Sequence, residues 1–463
     1  MIISTTDPRT GQSTDTDLKA TPPEDRRMAV AAVQAGPVFA RLGRRFRAGL
    51  LRRVAAGLEQ HREELVRVAD SETGLGPVRL NGELSCSAFQ FEPFADAVED
   101  GGYLAAAIDH ATDTVLGPQP DVRRMNMPVG PVAVFGSSNF PFAFSVLDGD
   151  VASALAAGCP VVAKAHSSHD LTSQHSFAVL EEAVRQAGAP EGTVGIVFGQ
   201  AAGTALVAEP GIAAVGFTGS LGAAEALQRT IADREVSIPF FGELSGINPL
   251  VVMAVAATTR GAEIANGLFA SYTGSGGQLC TKPGIAFVPE GEVGDDLVGE
   301  LASLTAEAEA AALLNHRIRS AFDDIEGRLL DAGATLLTKG RPTTGDGFAV
   351  TPTLLITDAK AVDAQVAEEC FGPLPVVARY QDSREVRDAL ERVPRSLTVT
   401  IHAEDSDAGV LGDLFEQLAS LAGRIVYNGY PTGVRVSRAQ THGGPWPATN
   451  TRHTELPPLC GSR

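Results

Sequence analysis

Between about Pro37 and Asp70, apolar residues recur at three- and four-residue steps, among them Leu50, Leu51, Val54, Leu58, Leu65 and Val68. That is the period of a helix laying one face on a core. From Arg123 the texture changes. The apolar runs PVGPVAVFG and CPVVAKA read as buried strands, and SVLDGDVASALAAG and LTSQHSFAVLEEAVRQAG read as helices. GTVGIVFG, GTALVAEP and AAVGFTGS extend the alternation. It resumes after Glu243 with INPLVVM, a helix near Ala262 to Tyr272, IAFVPE, and the later strands SLTVTIHA and GRIVYNG. The Ala-rich stretches AEAEAAALL and SALAAG suit helices. Strands and helices alternating at this spacing imply an α/β fold with a parallel, doubly wound sheet, whose ligands gather at the carboxyl ends of the strands.

Composition narrows the class of function. A chain of 463 residues is too long for one ordinary core, so two or more domains are expected. Lys and Arg total 37 against 56 Asp and Glu, a formal charge of −19, which disfavours nucleic acid and anionic membranes as partners. The N-terminal stretch MIISTTDPRTGQSTDTD is polar, and no run of 18 or more apolar residues occurs. The expectation is a cytoplasmic protein acting on a small molecule. The cysteines, Cys86, Cys159, Cys280, Cys370 and Cys460, are odd in number and form no C-x-x-C pair, so neither a disulfide framework nor a metal-ligand cluster is indicated. Cys159 and Cys370 lie in apolar surroundings and read as small buried hydrophobes.

Candidate chemistry gathers in loops. There is no G-x-G-x-x-G string. VGFTGSLGAAEAL instead ends a strand at Phe217 and opens a helix at Gly219-Ser220, where free amides could meet a phosphate, although alone this is more readily a capped turn. Cys280 is the one cysteine in a glycine-rich loop, TGSGGQLCTKP. A thiolate is strongly nucleophilic and its thioester hydrolyses readily, although a lone cysteine is more often buried and inert. Glu243 in FGELSGINP is a carboxylate that could activate water or could equally cap or solvate a strand end.

Read in order, FGSSNFPFAFS, VVAKAHSSH, FTGS, FGELSGINP, GQLCTKPG and EECFGPLPVV closely resemble the aldehyde dehydrogenase superfamily, over roughly Ala56 to Asn450. SNFPFAFSVLDGDVASALAAGCPVVAKAHSSH and NGYPTGVRVSRAQTHGGPWPAT are similar to its α-ketoglutarate semialdehyde (2,5-dioxovalerate) dehydrogenase group. A related bacterial fatty-aldehyde dehydrogenase shares much of that pattern. The resemblance implies a Rossmann-type NAD(P)-binding domain over 1–111 and 129–243 and a bridging or oligomerisation hairpin over 112–128. It implies a catalytic α/β domain over 244–440 and a shortened C-terminal segment over 441–463.

The resemblance also implies roles. Cys280 would be the nucleophile, Glu243 the general base for thioester hydrolysis, and Asn139 an amide donor to the oxyanion. Lys164 would bind the adenosine ribose, Gly219 and Ser220 would meet the pyrophosphate, Glu369 would grip the nicotinamide ribose, and Phe371 would pack beside the nicotinamide. Ser167 stands where NAD-preferring members often carry Glu, so NADP should be accepted and is slightly favoured over NAD. His166 and His169 nearby read as surface residues. For a distal substrate carboxylate, Arg435 is the first choice and Arg438 the next. The implied assembly is a homodimer or homotetramer. Family members usually continue past HGGPWPAT with a strand for the oligomerisation sheet, whereas TNTRHTELPPLCGSR is short and polar, so that strand is expected to be missing or altered and assembly to be in question. The rival expectations are a broad or fatty-aldehyde dehydrogenase, and a catalytically impaired cofactor-binding or scaffold relative.

Overall fold

Short apolar runs build two sheets, and the ends of those sheets face one another across the site. In the computed structural model the described residues are 1–463 apart from Ser245, 343–344, Arg435, Arg438, 452–459 and Arg463, with the side chains of Val410, Asp413 and 460–462 also outside the description.

The first sheet comes from VAVF, VVAK, VGIV, AVGFT and FFGE. They form β1 (Val132–Phe135), β2 (Val161–Lys164), β3 (Val194–Val197), β4 (Ala214–Thr218) and β5 (Phe240–Glu243). All pairings are parallel and the order is β3-β2-β1-β4-β5. The strands are covered on both faces, and each Val or Leu so buried contributes about 1.5–3 kcal/mol relative to exposure. That is why the runs are apolar throughout instead of alternating. Strand order reverses at β1, so the crevice beyond the carboxyl ends of β1 and β4 is the natural ligand position.

Four helices precede this sheet: α1 (Arg27–Phe39), α2 (Arg44–Gln60), α3 (Arg62–Thr73) and α4 (Pro77–Asp100). The single periodic stretch expected from Pro37 to Asp70 is therefore broken twice. Gly43 takes an extended conformation before α2, and His61 leaves the helical region between α2 and α3. The apolar period survives because both helices press on the same core, through Leu50, Leu51, Val54, Leu58 and Leu65. α5 (Gly149–Ala157) is capped by Asp148, whose side chain accepts from Val151 N–H at 2.7 Å. α6 (Asp170–Ala187), α7 (Gln200–Ala208) and α8 (Leu221–Ala232) complete the crossovers.

The second sheet has seven strands: β6 (Leu250–Val252), β7 (Ile285–Pro289), β8 (Thr335–Lys339), β9 (Thr353–Asp358), β10 (Val376–Tyr380), β11 (Ser396–His402) and β12 (Ala422–Tyr427). Their order is β8-β9-β10-β7-β6-β11-β12, parallel except for edge strand β8. Helix α9 (Ala254–Thr273) follows β6.

One further expectation is corrected. AEAEAAALL is helical only at its start, and Ala311–Ala312 forms a strand paired with Ala349–Val350. Here tertiary pairing overrides alanine's helix propensity. In the C-terminal tail, whose strand was expected to be missing or altered, Cys460–Ser462 forms a strand of three residues that pairs antiparallel with Asn126–Pro128.

Candidate active site

The chemistry is built from the ends of three segments distant in sequence. Glu243 is the last residue of β5, in register with Thr218 at the end of β4. Cys280 lies in the loop after α9, where Ser275, Gly276 and Gly277 have φ of +53°, +65° and +70°. Three successive left-handed residues reverse the chain tightly, a conformation that glycine adopts without a Cβ penalty. Gly277 has a second role, since a Cβ there would strike the backbone of Gly372. The nucleophile loop thus lies directly on the turn of EECFGP.

Side chains then fix the loop. Asn248, itself at φ +51°, donates through Nδ2 to Cys280 O at 2.7 Å and Lys282 O at 3.1 Å, while its Oδ1 accepts from Thr398 N–H at 3.1 Å. Gln278 is fully buried; its Oε1 accepts from Leu314 N–H at 2.9 Å and its Nε2 donates to Ala312 O at 3.4 Å, so the strand that replaced the expected helix, with the residues after it, holds the loop from behind. Asn139 Nδ2 donates to Gln278 O at 2.9 Å, two residues from Cys280, and Asn139 O accepts from Arg79 Nη2 at 2.8 Å. The three residues expected to share the chemistry, Cys280, Glu243 and Asn139, are therefore in one place.

A fourth residue joins them. His442 Nε2 stands 3.7 Å from Cys280 Sγ and 3.0 Å from Glu243 Oε1, and the His442 and Glu243 side chains are both 2% exposed. The segment carrying His442 is sewn to the edge of β5. Leu244 N–H donates to Ala448 O at 2.8 Å, Thr449 bridges to Glu243, and Asn450 both accepts from Gly242 N–H at 2.8 Å and donates to Phe240 O at 2.7 Å. The pair Gly443-Gly444 lets this segment cross the second sheet, because a Cβ on Gly444 would strike Ser396 O. The His442 ring also packs against Phe144 of the FPFAF run, centroids 6.0 Å apart.

Among the described residues, neither oxygen of Glu243 accepts a hydrogen bond of good geometry, despite the nearness of His442. A buried carboxylate short of donors is rare and marks a site of chemistry. Asp150, in the first turn of α5, is the next charge behind it: burial, reinforced by Glu243, pushes its carboxyl up to about 7. Arg424 on β12 faces the cluster from the other side. Its Nη2 donates to Pro431 O at 2.8 Å, its Nε is buried without an acceptor among the described residues, and burial lowers its pKa while Cys280 and Glu243 raise it. No metal-ligand cluster was expected from the sequence, yet Glu243, Cys280 and His442 bring three ligand-type atoms within 4.8 Å of one another.

The crevice at the end of the first sheet holds the other expected residues. Lys164 ends β2, its pKa lowered by burial against the opposing pull of Asp170. Ser220 caps α8 by accepting from Ala223 N–H, and Gly219 N–H donates to Glu243 O at 3.0 Å. The Gly219 amide expected to be free is thus taken by Glu243 O; a cation at the end of β2 and the N-terminus of α8 after β4 both lie at the carboxyl ends of the sheet, where a phosphate-bearing dinucleotide fits. Ser167 is exposed at the same edge. His169 is not a surface residue: it is fully buried, with Nε2 2.9 Å from Ser137 O and Nδ1 3.3 Å from Ser173 Oγ, so both ring nitrogens have partners inside the protein. His166 is half-buried, and burial beside His169 and Lys164 holds its pKa well below the usual range. Glu369 accepts from Gly246 N–H at 3.2 Å; burial pushes its carboxyl up to about 7 and Lys282 opposes the rise. Phe371 is half-buried beside it. Arg435 and Arg438 lie outside the described residues.

Sequence reasoning passed over His442, Asn248 and Arg424. Signals for all three were present: a histidine directly before Gly-Gly, an asparagine in S-G-I-N-P, and an arginine inside the otherwise apolar strand GRIVY.

Comparison with known proteins shows the family and the fold. The profile described as "Aldehyde dehydrogenase family" matches residues 1–445. The chain is 38% identical over 437 residues to an alpha-ketoglutaric semialdehyde dehydrogenase of Acinetobacter baylyi, covering 93% of this chain and 83% of that one. It is 38% identical over 431 residues to alpha-ketoglutaric semialdehyde dehydrogenase 2 of Azospirillum brasilense, covering 92% and 81%. Among solved structures, 3,6-anhydro-L-galactose dehydrogenase in complex with NAP superposes with a TM-score of 0.85 at 21% identity, covering 100% of this chain and 95% of that one, a likeness of fold.

Proposed function

The chain belongs to the aldehyde dehydrogenase family, and from that premise we propose that it oxidises α-ketoglutarate semialdehyde to 2-oxoglutarate with NAD(P), through a thioester on Cys280. The observation that carries the mechanism is the Cys280–His442–Glu243 cluster. The thiol proton passes from Sγ to His442 Nε2, and the thiolate attacks the aldehyde carbon. A C–S bond forms, and the carbonyl electron pair moves to oxygen, which the Asn139 amide steadies. Losing one such donor costs on the order of 3 kcal/mol in the transition state.

NAD(P), held by Lys164, Gly219, Ser220, Glu369 and Phe371, supplies the hydride acceptor when bound. Glu243 then takes a proton from water, and the hydroxide adds to the acyl carbon. The C–S bond breaks, sulfur regains its proton from His442, and the carboxylate leaves. A carboxylate with no competing donor among the described residues leaves its oxygens open to that water. Exposed Ser167 brings no carboxylate against a 2′-phosphate, which supports NADP alongside NAD. Arg424, a cation facing the cluster with an unsatisfied Nε, takes the distal carboxylate of the substrate. Arg435 is the alternative for that task. The working assembly is a homodimer or homotetramer in the cytoplasm.

The test follows NADH and NADPH formation with α-ketoglutarate semialdehyde, succinate semialdehyde and decanal. Cys280→Ala should lower turnover more than ~10³-fold. Arg424→Met should raise KM for the two semialdehydes roughly 10- to 100-fold, the worth of a hydrogen bond to a charged group, and leave decanal unchanged. Decanal turning over best in the wild type would favour the fatty-aldehyde reading. No reduced cofactor from any aldehyde would favour a scaffold.

A further inference from the structure

The cluster at Cys280 has a property that aldehyde chemistry does not require. Its three donor atoms are a thiol sulfur, an imidazole nitrogen and a carboxylate oxygen, all within 4.8 Å of one another. A tetrahedral zinc ion with ordinary bond lengths would place sulfur and nitrogen about 3.5 Å apart and nitrogen and oxygen about 3.3 Å apart. The observed separations are 3.7 Å and 3.0 Å. Sulfur and oxygen, within 4.8 Å of each other, must close to about 3.6 Å, so side-chain shifts of up to about 1 Å bring all three onto one ion. The second observation is the Glu243 carboxylate itself, buried and accepting no hydrogen bond of good geometry among the described residues.

The geometry points to a three-donor site, Cys280 Sγ, His442 Nε2 and the Glu243 carboxylate, for a borderline-soft divalent ion of the zinc class, whose binding reversibly silences the enzyme. The ion forms bonds to sulfur, nitrogen and oxygen, the thiol proton leaves to solvent, and no electrons change hands. Its fourth position is left to water. Occupation blocks both the attack on the aldehyde and the activation of water, because the same atoms serve all three. Hard ions such as Mg²⁺ and Ca²⁺, which want six or more oxygen ligands, are excluded by the donor set. The inference rests on Cys280 being the reactive thiol, and the experiment separates the two claims.

Titrate the full chain with CoCl₂ and then ZnCl₂, reading the optical spectrum and, in parallel, aldehyde-dependent NAD(P)H formation. The expected result is one equivalent of Co²⁺ with a thiolate-to-metal charge-transfer band and the intense visible bands of a tetrahedral site. Zn²⁺ should erase that spectrum, and activity should fall with occupancy and return with EDTA. Cys280→Ser should abolish the charge-transfer band, and Cys86→Ser, on the half-buried thiol of α4, should keep it. His442→Gln and Glu243→Gln should each weaken Zn²⁺ binding at least ~100-fold, since even outer-shell changes reach that size. Circular dichroism confirms that each variant is folded. No charge-transfer band in active wild-type protein, or a band that survives Cys280→Ser, overturns the site. A band without turnover of any aldehyde overturns the reading of the enzyme and leaves the site standing.

Discussion

Glu72 in α3 and Glu243 in β5 are both glutamates, 1% and 2% exposed, and their surroundings could hardly differ more. Glu72 accepts four hydrogen bonds: from Thr5 Oγ1 at 2.9 Å, Leu171 N–H at 3.0 Å, and Thr172 N–H and Oγ1 at 2.7 Å each. Two of those donors are amides of the first turn of α6, where negative charge is favoured. Glu243 has only His442 Nε2 within ion-pair distance and accepts no well-formed hydrogen bond among the described residues. Burying a carboxylate costs several kcal/mol unless donors replace the lost water. At Glu72 that cost is offset and the residue holds helices together. At Glu243 no such set of donors stands among the described residues, and it is the residue proposed to take a proton from water. Burial alone does not distinguish a structural acid from a reactive one; the count of donors does.

Four substitutions separate the two regions. The largest effect belongs to Glu243→Gln, which should lower steady-state turnover ~10²- to 10⁴-fold, the range of a general base, with the thermal midpoint hardly changed. His442→Phe keeps an aromatic ring against Phe144 but removes the proton acceptor. Turnover should fall by ~10²-fold near neutral pH and recover as pH rises and the thiol ionises without help, which a pH–rate profile would reveal. Glu72→Gln should do the reverse of Glu243→Gln. It should lower unfolding free energy by roughly 2–4 kcal/mol in urea while the folded enzyme keeps its kcat.

The smallest effect concerns Asp150, whose folded-state pKa stands at about 7, above the unfolded value. Its contribution to stability is full below about pH 4 and is lost as pH rises through about 7. Asp150→Asn should flatten the fall of the thermal midpoint across that window. An unchanged slope would mean that Asp150 is not the titrating group.

Much of the fold was legible because parallel strands covered on both faces must be continuously apolar, and PVAVFG and CPVVAKA cannot easily be anything else. Cys280, Glu243 and Asn139 stood out through the resemblance of GQLCTKPG, FGELSGINP and FGSSNFPFAFS to the family's motifs, and the structure brings the three to one place. The Pro37–Asp70 helix was drawn too long because apolar period reports which face is buried and is blind to a break that keeps the face aligned. Ala311–Ala312 was misread because local propensity says nothing of a partner strand at Ala349–Val350. His442 was missed for a deeper reason. Its place depends on residues 448–450 joining the edge of β5, some 200 positions earlier in the chain, and no local pattern encodes that pairing. His169 was placed at the surface because polarity was visible, whereas its two internal partners, Ser137 O and Ser173 Oγ, were not.

The most direct test of the claim that the donor-poor Glu243 carboxylate serves hydrolysis at Cys280 is a rapid-mixing experiment on Glu243→Gln with α-ketoglutarate semialdehyde and NADP, followed by intact-protein and peptide mass measurement. The expected result is about one equivalent of NADPH per site in a burst, then slow turnover, with the acyl mass on the peptide containing Cys280. Steady turnover at the wild-type rate, or a burst whose acyl mass lies on another residue, would contradict it.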